Sequence, residues 1–198
     1  EAESAGDTWG HLLTLTWTPA ADIEVKSISS YRDLAQSQFD NGGGHSARFT
    51  PNATFSRYSL AGTNQHQYSE ELQIVGSLPS LTYVAGLYYY HEQGFDWAWT
   101  PNTLRWNADG TSYSRLGSLD EGAQTPFPDR QSTAHATSLA AYGQATWTPP
   151  ILEDGLHLTA GVRHTRDRKH GTLEKSQGIE VGNQFRFRSS RTDPAVTL

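Results

Sequence analysis

The sequence predicts an all-β protein: an antiparallel, up-and-down membrane β-barrel segment of about seven strands. Three observations predict it. Hydrophobic residues recur with a period of two, no convincing period of 3.6 is present, and short connections between strands alternate with long ones. Charged residues make up 18% of the 198 residues and hydrophobic residues 35%, both low for a water-soluble domain. Polar uncharged and aromatic residues make up the difference, which suits strands and long loops better than helices.

The first predicted strand, residues 12–17, places Leu13, Leu15 and Trp17 on one face and threonines on the other. The chain returns through residues 23–34, where Ile23 and Val25 share a face. Further alternating runs predict strands at residues 67–76, 81–95, 138–147 and 156–169, with a seventh starting near residue 183.

The connections separate into two kinds. Those after residues 17, 76 and 147 are short and contain proline, whereas those after residues 34, 95 and 169 are long and rich in Gly, Asn, Gln, Ser and His. Alternate connections of an up-and-down sheet lie at the same end, so the short turns share one rim and the long loops the other. This asymmetry is typical of outer-membrane barrels.

Trp17 and Trp147 each close an alternating run and each precede Thr-Pro. Both are therefore expected on the apolar face beside the short turns, with Tyr83 at a similar height. Aromatic residues at a membrane interface occupy this position, because indole combines an apolar body with an N–H donor. The alternative is that they are core tryptophans of a soluble sandwich.

Composition excludes several classes. The net charge of −6 argues against a nucleic-acid partner, and the absence of cysteine excludes disulfide scaffolds and thiolate metal sites. The longest apolar stretch, residues 81–90, is too short for a membrane-spanning helix. Methionine is absent, also at position 1, which indicates a processed form or an excised stretch.

Five segments in order, LLTLTWTPAADIEVKSISSYRDL, QYSEELQIVGS, LTYVAGLYYYHEQ, SLAAYGQATWTP and LHLTAGVRHTRDRK, resemble the barrel of TonB-dependent outer-membrane receptors. The resemblance covers about residues 12–198. It implies an active-transport receptor of the Gram-negative outer membrane, not an enzyme and without a cofactor, that takes up a bulky siderophore, vitamin or oligosaccharide.

In that family a barrel of about 22 strands surrounds a plug. Residues 1–198 are therefore expected to be a partial barrel domain, with the plug and the remaining strands absent from it. The partners that the resemblance implies are outer-membrane lipid, an external small ligand, and the TonB energy-coupling complex acting through the absent plug.

The candidate ligand contacts are Trp97, Trp99 and Trp106, which the sequence places with Phe95 in the second long loop. Exposed aromatic residues on a polar loop are unusual, and they could stack on a sugar or hold a siderophore. The alternative is that they pack beneath the loop and keep it folded. Residues 107–110, Asn-Ala-Asp-Gly, predict a hairpin tip in this loop.

No motif supports catalysis or a metal site. There is no Gly-x-Ser-x-Gly sequence, and His164, Asp167 and His170 lie on a predicted strand, where their spacing puts neighbours on opposite faces. The adjacent Glu70 and Glu71 also point in opposite directions, with Glu71 expected in the lumen and Glu70 near the upper rim.

A basic cluster is expected at the upper end of the sixth strand. Its charges either pair with carboxylates in the lumen and at the rim, or attract lipid phosphates or an anionic substrate. Its members are Arg163, Arg166, Arg168 and Lys169.

Two other functions remain open from the sequence. One is a soluble all-β module that binds a carbohydrate or another ligand through the same tryptophans. The other is an all-β hydrolase. Neither the ligand nor its chemical class is specified by the loops.

Overall fold

The computed structural model describes residues 4–40, 51–56, 59–99, 102–115, 130–151, 155–176 and 178–197. None of these residues belongs to a helix that could cross a membrane. The described chain folds into two antiparallel sheets. The large sheet contains β1 (Ala5–Ala20), β2 (Ile23–Asp40), β4 (Ser59–Leu78), β5 (Leu81–Trp99), β8 (Arg130–Trp147), β9 (Leu158–Ser176) and β10 (Ile179–Thr197). The small sheet contains β3 (Thr54–Ser56), β6 (Asn102–Trp106) and β7 (Tyr113–Arg115).

The large sheet follows the order of the chain, β1-β2-β4-β5-β8-β9-β10, with every neighbour antiparallel. The short turns meet at one rim, where the backbone N–H of Ser77 donates to the carbonyl of Asp22 at 3.0 Å. Thr148 donates likewise to Ser80 at 2.9 Å. The predicted all-β, up-and-down sheet of seven strands is confirmed. We call this end the turn rim and the opposite end the loop rim.

The strands are longer than predicted, and they extend toward the loop rim. β4 begins at Ser59 instead of residue 67, and β5 runs to Trp99. The alternating apolar pattern stops earlier because polar residues follow, but backbone hydrogen bonds continue the ladder whatever the side chains are. The small sheet forms within the connections that join β2 to β4 and β5 to β8.

The prediction of a third long loop after residue 169 is wrong. β9 continues to Ser176 and β10 starts at Ile179, so the two strands form an antiparallel ribbon with one irregularity between Glu180 and Asn183. The polar, Gly-containing stretch that predicted a loop pairs instead with an equally polar stretch of β10. Short and long connections therefore do not alternate strictly.

The register fixes two faces of the large sheet. The apolar face carries the odd-numbered residues of β1, β2, β5 and β8 and the even-numbered residues of β4, β9 and the paired body of β10; the polar face carries the others. Toward the turn rim the apolar face holds Leu13, Leu15, Trp17, Ile74, Leu72, Leu87, Leu139, Trp147 and Val162, all exposed. We call this region the apolar band.

Nothing in the described part of the chain covers the apolar band. The buried hydrophobic residues of the described chain are Leu104, Trp106 and Ala140, and Leu104 and Trp106 belong to the small sheet. Soluble monomers rarely expose a continuous apolar surface of more than a few hundred square ångströms. The large sheet therefore requires apolar surroundings on one side and polar surroundings on the other.

Candidate functional site

Aromatic residues border the apolar band at the turn rim. Trp17 and Trp147, predicted to lie there, are 66% and 49% exposed on the apolar face. Tyr83 lies on the same face with its ring over Gly76, so close that an added Cβ at Gly76 would overlap it. From Leu81 to Tyr89 the band extends along β5 for about 26 Å at roughly 3.3 Å per residue. The nine residues from Leu81 to Tyr89 are within the range of about 9–11 that a tilted transmembrane strand needs.

A polar cluster lies near the middle of the opposite face. Tyr142 Oη donates to Glu71 Oε1 at 2.5 Å, and Gln73 Nε2 donates to the same oxygen at 3.0 Å. The Arg163 guanidinium lies 5.6 Å from the ring centroid of Tyr88 and 5.8 Å from that of Tyr142. A carboxylate, a cation and two aromatic rings therefore share one surface, on which Tyr142 contacts both Glu71 and Arg163.

Sequence reasoning assigned Glu71 to this face but missed Tyr142. Part of the signal was present, because Tyr142 follows the same alternation as Gln144. The sequence alone does not give the register between β5 and β8, because residues 100–129 separate the two strands.

Two further carboxylates on the polar face have partners toward the loop rim. Glu92 accepts from Tyr90 Oη at 2.6 Å and from the side-chain amide of Gln65. Asp96 accepts from Ser132 Oγ and pairs with Arg130 at 3.4 Å. The polar face is thus a hydrogen-bonded wall that suits a water-filled interior.

Glu70 and Glu71 point to opposite faces, as predicted, but Glu70 is not near the upper rim. It lies in the middle of β4, because that strand begins earlier than expected. On the apolar face its carboxylate accepts from Ser27 Oγ at 2.7 Å, from Tyr68 Oη at 3.1 Å and from Ser29 Oγ at 2.5 Å.

The expected basic cluster is divided between the two faces. Arg163 and Lys169 lie on the polar face, whereas Arg166 and Arg168 lie on the apolar face, where Arg166 is directly opposite Leu139 of the apolar band. Strand alternation requires this separation, so the expectation of one cluster is wrong. By the same register His164 and His170 lie on the apolar face and Asp167 lies on the polar face. The described residues contain no group of three metal-ligating side chains.

The candidate ligand tryptophans are distributed over two sheets. Trp97 and Trp99 belong to β5 and lie half-buried on the apolar face, with the Trp97 indole over Gly62, where an added Cβ would overlap the ring. Trp106 belongs to the small sheet and is only 8% exposed. Their contact with a ligand stays a prediction.

The predicted hairpin tip is confirmed between β6 and β7. Asn107 N–H donates to the carbonyl of Ser112 at 2.9 Å, and the Thr111 N–H donates to Asp109 Oδ1 at 2.9 Å. This hydrogen bond lowers the pKa of the Asp109 carboxyl below its ordinary value of 3.8. Trp106 meets Tyr113 edge to face at 5.7 Å, so aromatic packing holds the base of the hairpin.

An antiparallel sheet with an apolar band, an aromatic border and a hydrogen-bonded polar face defines the class of membrane β-barrels. The chain belongs to the family of TonB-dependent receptor-like β-barrels, whose model matches residues 2–198. Members of this family are transport receptors of the Gram-negative outer membrane, not enzymes. They interact with TonB and with external ligands.

A similar solved structure is FyuA, the ferric yersiniabactin uptake receptor of Yersinia pestis, with 20% sequence identity and a TM-score of 0.55. The match covers 98% of this chain and 25% of FyuA, so the chain spans about a quarter of that receptor's length. No curated protein sequence matches the chain significantly.

Proposed function

We propose that this chain is a partial barrel domain of an outer-membrane receptor that actively takes up a bulky external ligand. The observation that carries the proposal is the two-faced sheet: an uncovered apolar band on one face and paired polar side chains on the other. A soluble ligand-binding module or hydrolase is disfavoured, because either would need to bury the apolar band in a core.

In this proposal the polar face forms part of the wall of the receptor's interior. Glu71 accepts hydrogen bonds from Tyr142 and Gln73, and the Arg163 guanidinium lies beside the Tyr142 ring, so the wall presents polar groups that already have partners. A ligand moving past it would exchange hydrogen bonds with water and wall groups in turn. Energy for transport would come from the TonB complex acting on a plug outside this chain.

The ligand would be selected at the loop rim, with Trp97, Trp99 and Trp106 as candidate contacts. Because Trp97 and Trp99 lie on the apolar face, they would reach a ligand only at the loop-rim end of β5, beyond the apolar band. In the small sheet the buried Trp106 packs edge to face against Tyr113, which is 57% exposed. FyuA takes up ferric yersiniabactin. A ferric chelate is therefore the first ligand class to test, before vitamins and oligosaccharides.

The test is carried out with the full-length receptor in cells that lack its gene. We expect the protein in the outer-membrane fraction, and we expect energy-dependent uptake of a radiolabelled ferric chelate, cobalamin or oligosaccharide from a panel. Removing the hairpin, residues 102–115, should abolish uptake while leaving the membrane level of the protein unchanged. Recovery of the protein in the soluble fraction would contradict the proposal.

A further inference from the structure

A cavity of about 290 Å³ opens on the apolar face at the loop-rim ends of β1, β2, β4 and β5. Trp97 of β5 and Asp7 of β1 lie on its two sides, and Asn64 of β4 lies between them. Its floor consists of small residues of the two middle strands: Ala35, Ser37 and Gly62. Small-molecule sites are concave and begin at about 300 Å³, so this volume has room for a small ring. We call it the Trp97 cavity.

The Trp97 cavity lies beyond the apolar band. Trp97 is eight residues past Tyr89, where the band ends on β5, which is about 26 Å further along the strand at roughly 3.3 Å per residue. Asp33 and His66 lie between the cavity and the band on the same face, with 3.1 Å between Oδ2 and Nδ1. A ligand of this cavity therefore arrives from the aqueous side of the loop rim and not from the hydrocarbon.

The indole of Trp97 lies over Gly62, so close that an added Cβ at Gly62 would overlap the ring. Gly62 is buried, whereas Trp97 itself is only half-buried. The ring therefore rests against the backbone of β4 and still offers part of its surface to a ligand. A tryptophan has few rotatable bonds and a large rigid surface, so it loses little conformational entropy when a ligand stacks on it.

The polar groups of the cavity surround this apolar surface. The exposed Asp7 carboxylate accepts hydrogen bonds, the exposed Asn64 carboxamide both donates and accepts, and the Ser37 hydroxyl does the same. A pyranose ring has the matching chemistry, because it presents C–H groups on its faces and hydroxyl groups around its edge. An aromatic plate with convergent donors and acceptors suits such a ring.

We infer that the Trp97 cavity binds a neutral saccharide unit, which stacks on Trp97 and exchanges hydrogen bonds with Asp7 and Asn64. The Asp7 carboxylate disfavours acidic sugars and anionic chelates, because like charges repel. The cavity opens on the apolar face, whereas a transported ligand would pass along the polar face. The inference therefore goes beyond the proposed function and holds whichever ligand is transported.

The experiment uses the full-length receptor in a neutral detergent whose head group contains no sugar. Isothermal titration calorimetry measures binding of soluble hexasaccharides of glucose, galactose and mannose, with hexagalacturonate as the acidic counterpart. At least one neutral hexasaccharide should bind, and hexagalacturonate should bind about tenfold more weakly or not at all. These probes carry no lipid, so binding reports the sugar itself. Failure of every neutral probe to bind would overturn the inference.

Two variants remove contacts from the cavity. Trp97→Ala should weaken binding of the neutral hexasaccharide about tenfold, because it removes the stacking surface. Asp7→Ala/Asn64→Ala should have a similar effect, and both residues are exposed, so the fold should tolerate their loss. The matched control is Thr8→Ala/Gln67→Ala, which removes polar groups from the opposite face of the same two strands and should bind as the wild type does.

A third variant tests the position of the indole without removing any polar group. Gly62→Ala should weaken saccharide binding, because the added Cβ displaces the Trp97 ring. Gly6→Ala is its control, since an added Cβ there would meet nothing closer than 3.7 Å. Undiminished binding by both Trp97→Ala and Gly62→Ala would overturn the inference, as would an equal loss in the two control variants.

Parallel uptake measurements separate this inference from the proposed function. Asp7→Ala/Asn64→Ala should leave uptake of the transported ligand unchanged, because neither side chain lies on the polar face. An equal loss of uptake would overturn the assignment of the cavity to a separate site. Saccharide binding without any uptake from the ligand panel would overturn the proposed function alone, and uptake without saccharide binding would overturn this inference alone.

Discussion

Tyr142 on β8 reaches across β5 to donate a hydrogen bond to Glu71 on β4, with 2.5 Å between Oη and Oε1. The strand between them presents Gly86 at the crossing point, directly opposite Tyr142 and Gln73 in the ladder. Because glycine has no side chain, the tyrosine ring lies flat against the sheet. Three strands are thereby joined by side chains as well as by the backbone.

Replacing Gly86 by alanine should destabilise the barrel. An added Cβ would lie 2.6 Å from Tyr142 Oη and 2.8 Å from the carbonyl oxygen of Leu72. Relieving this overlap should cost about 1–3 kcal/mol, measured by urea unfolding in detergent. Gly143→Ala is the control: its Cβ would meet nothing closer than 3.9 Å, so stability should be unchanged. Equal stability of both variants would contradict the role of Gly86.

Tyr142→Phe should lower the free energy of unfolding by about 1 kcal/mol, because it removes one hydrogen bond while Gln73 still donates to Glu71. Glu71→Gln should also destabilise the sheet. Since the two side chains contact each other, the double variant should lose less than the sum of the single losses, which a double-mutant cycle measures. Strict additivity would indicate that the contact contributes nothing.

Leu72 and Gln73 are neighbours in sequence and lie on opposite faces. Leu72→Arg places a charge in the apolar band and should cost about 2–4 kcal/mol of stability in lipid. Gln73→Arg places the same charge beside Glu71 and should be tolerated. Folding yields into vesicles, followed by heat-modifiable mobility, compare the two. A smaller loss for Leu72→Arg than for Gln73→Arg would reverse our assignment of the faces.

The turn between β6 and β7 should be weakened by acid. Hydrogen bonding lowers the pKa of Asp109 below 3.8 in the folded hairpin, so the charged form stabilises the turn above that pH. This contribution is lost as the pH falls through the folded-state pKa. The Thr111 amide shift, followed by NMR, should titrate with a midpoint below 3.8, and Asp109→Asn should abolish the titration. A midpoint above 3.8 would contradict the hydrogen bond.

Period-two alternation was sufficient to predict the faces. Leu13, Leu15 and Trp17 lie together, as do Trp147 and Tyr83 at the same rim, because a strand leaves each side chain only two directions. The turns were predictable because proline and small polar residues interrupt the pattern. These features depend only on residues that are close together in the chain, so a single sequence is sufficient to predict them.

The ends of the strands and the cross-strand contacts were not predictable in this way. Trp97 and Trp99 were assigned to a loop because polar residues precede them, but backbone pairing with Gly62 and Leu60 continues the strand. The ribbon beyond Lys169 was missed for the same reason. The contact of Tyr142 with Glu71 depends on the register between strands that are distant in sequence.

The ladder also determines where the protein is free to change over evolutionary time. Inserting one residue inside β5 would exchange its two faces, sending Leu87 inward and Tyr88 into lipid. Lengthening the connection between β5 and β8 leaves every pair in the ladder unaltered and costs little entropy. Insertions at the loop rim can therefore change the surface offered to a ligand without moving any pair of the ladder, whereas insertions inside a strand cannot.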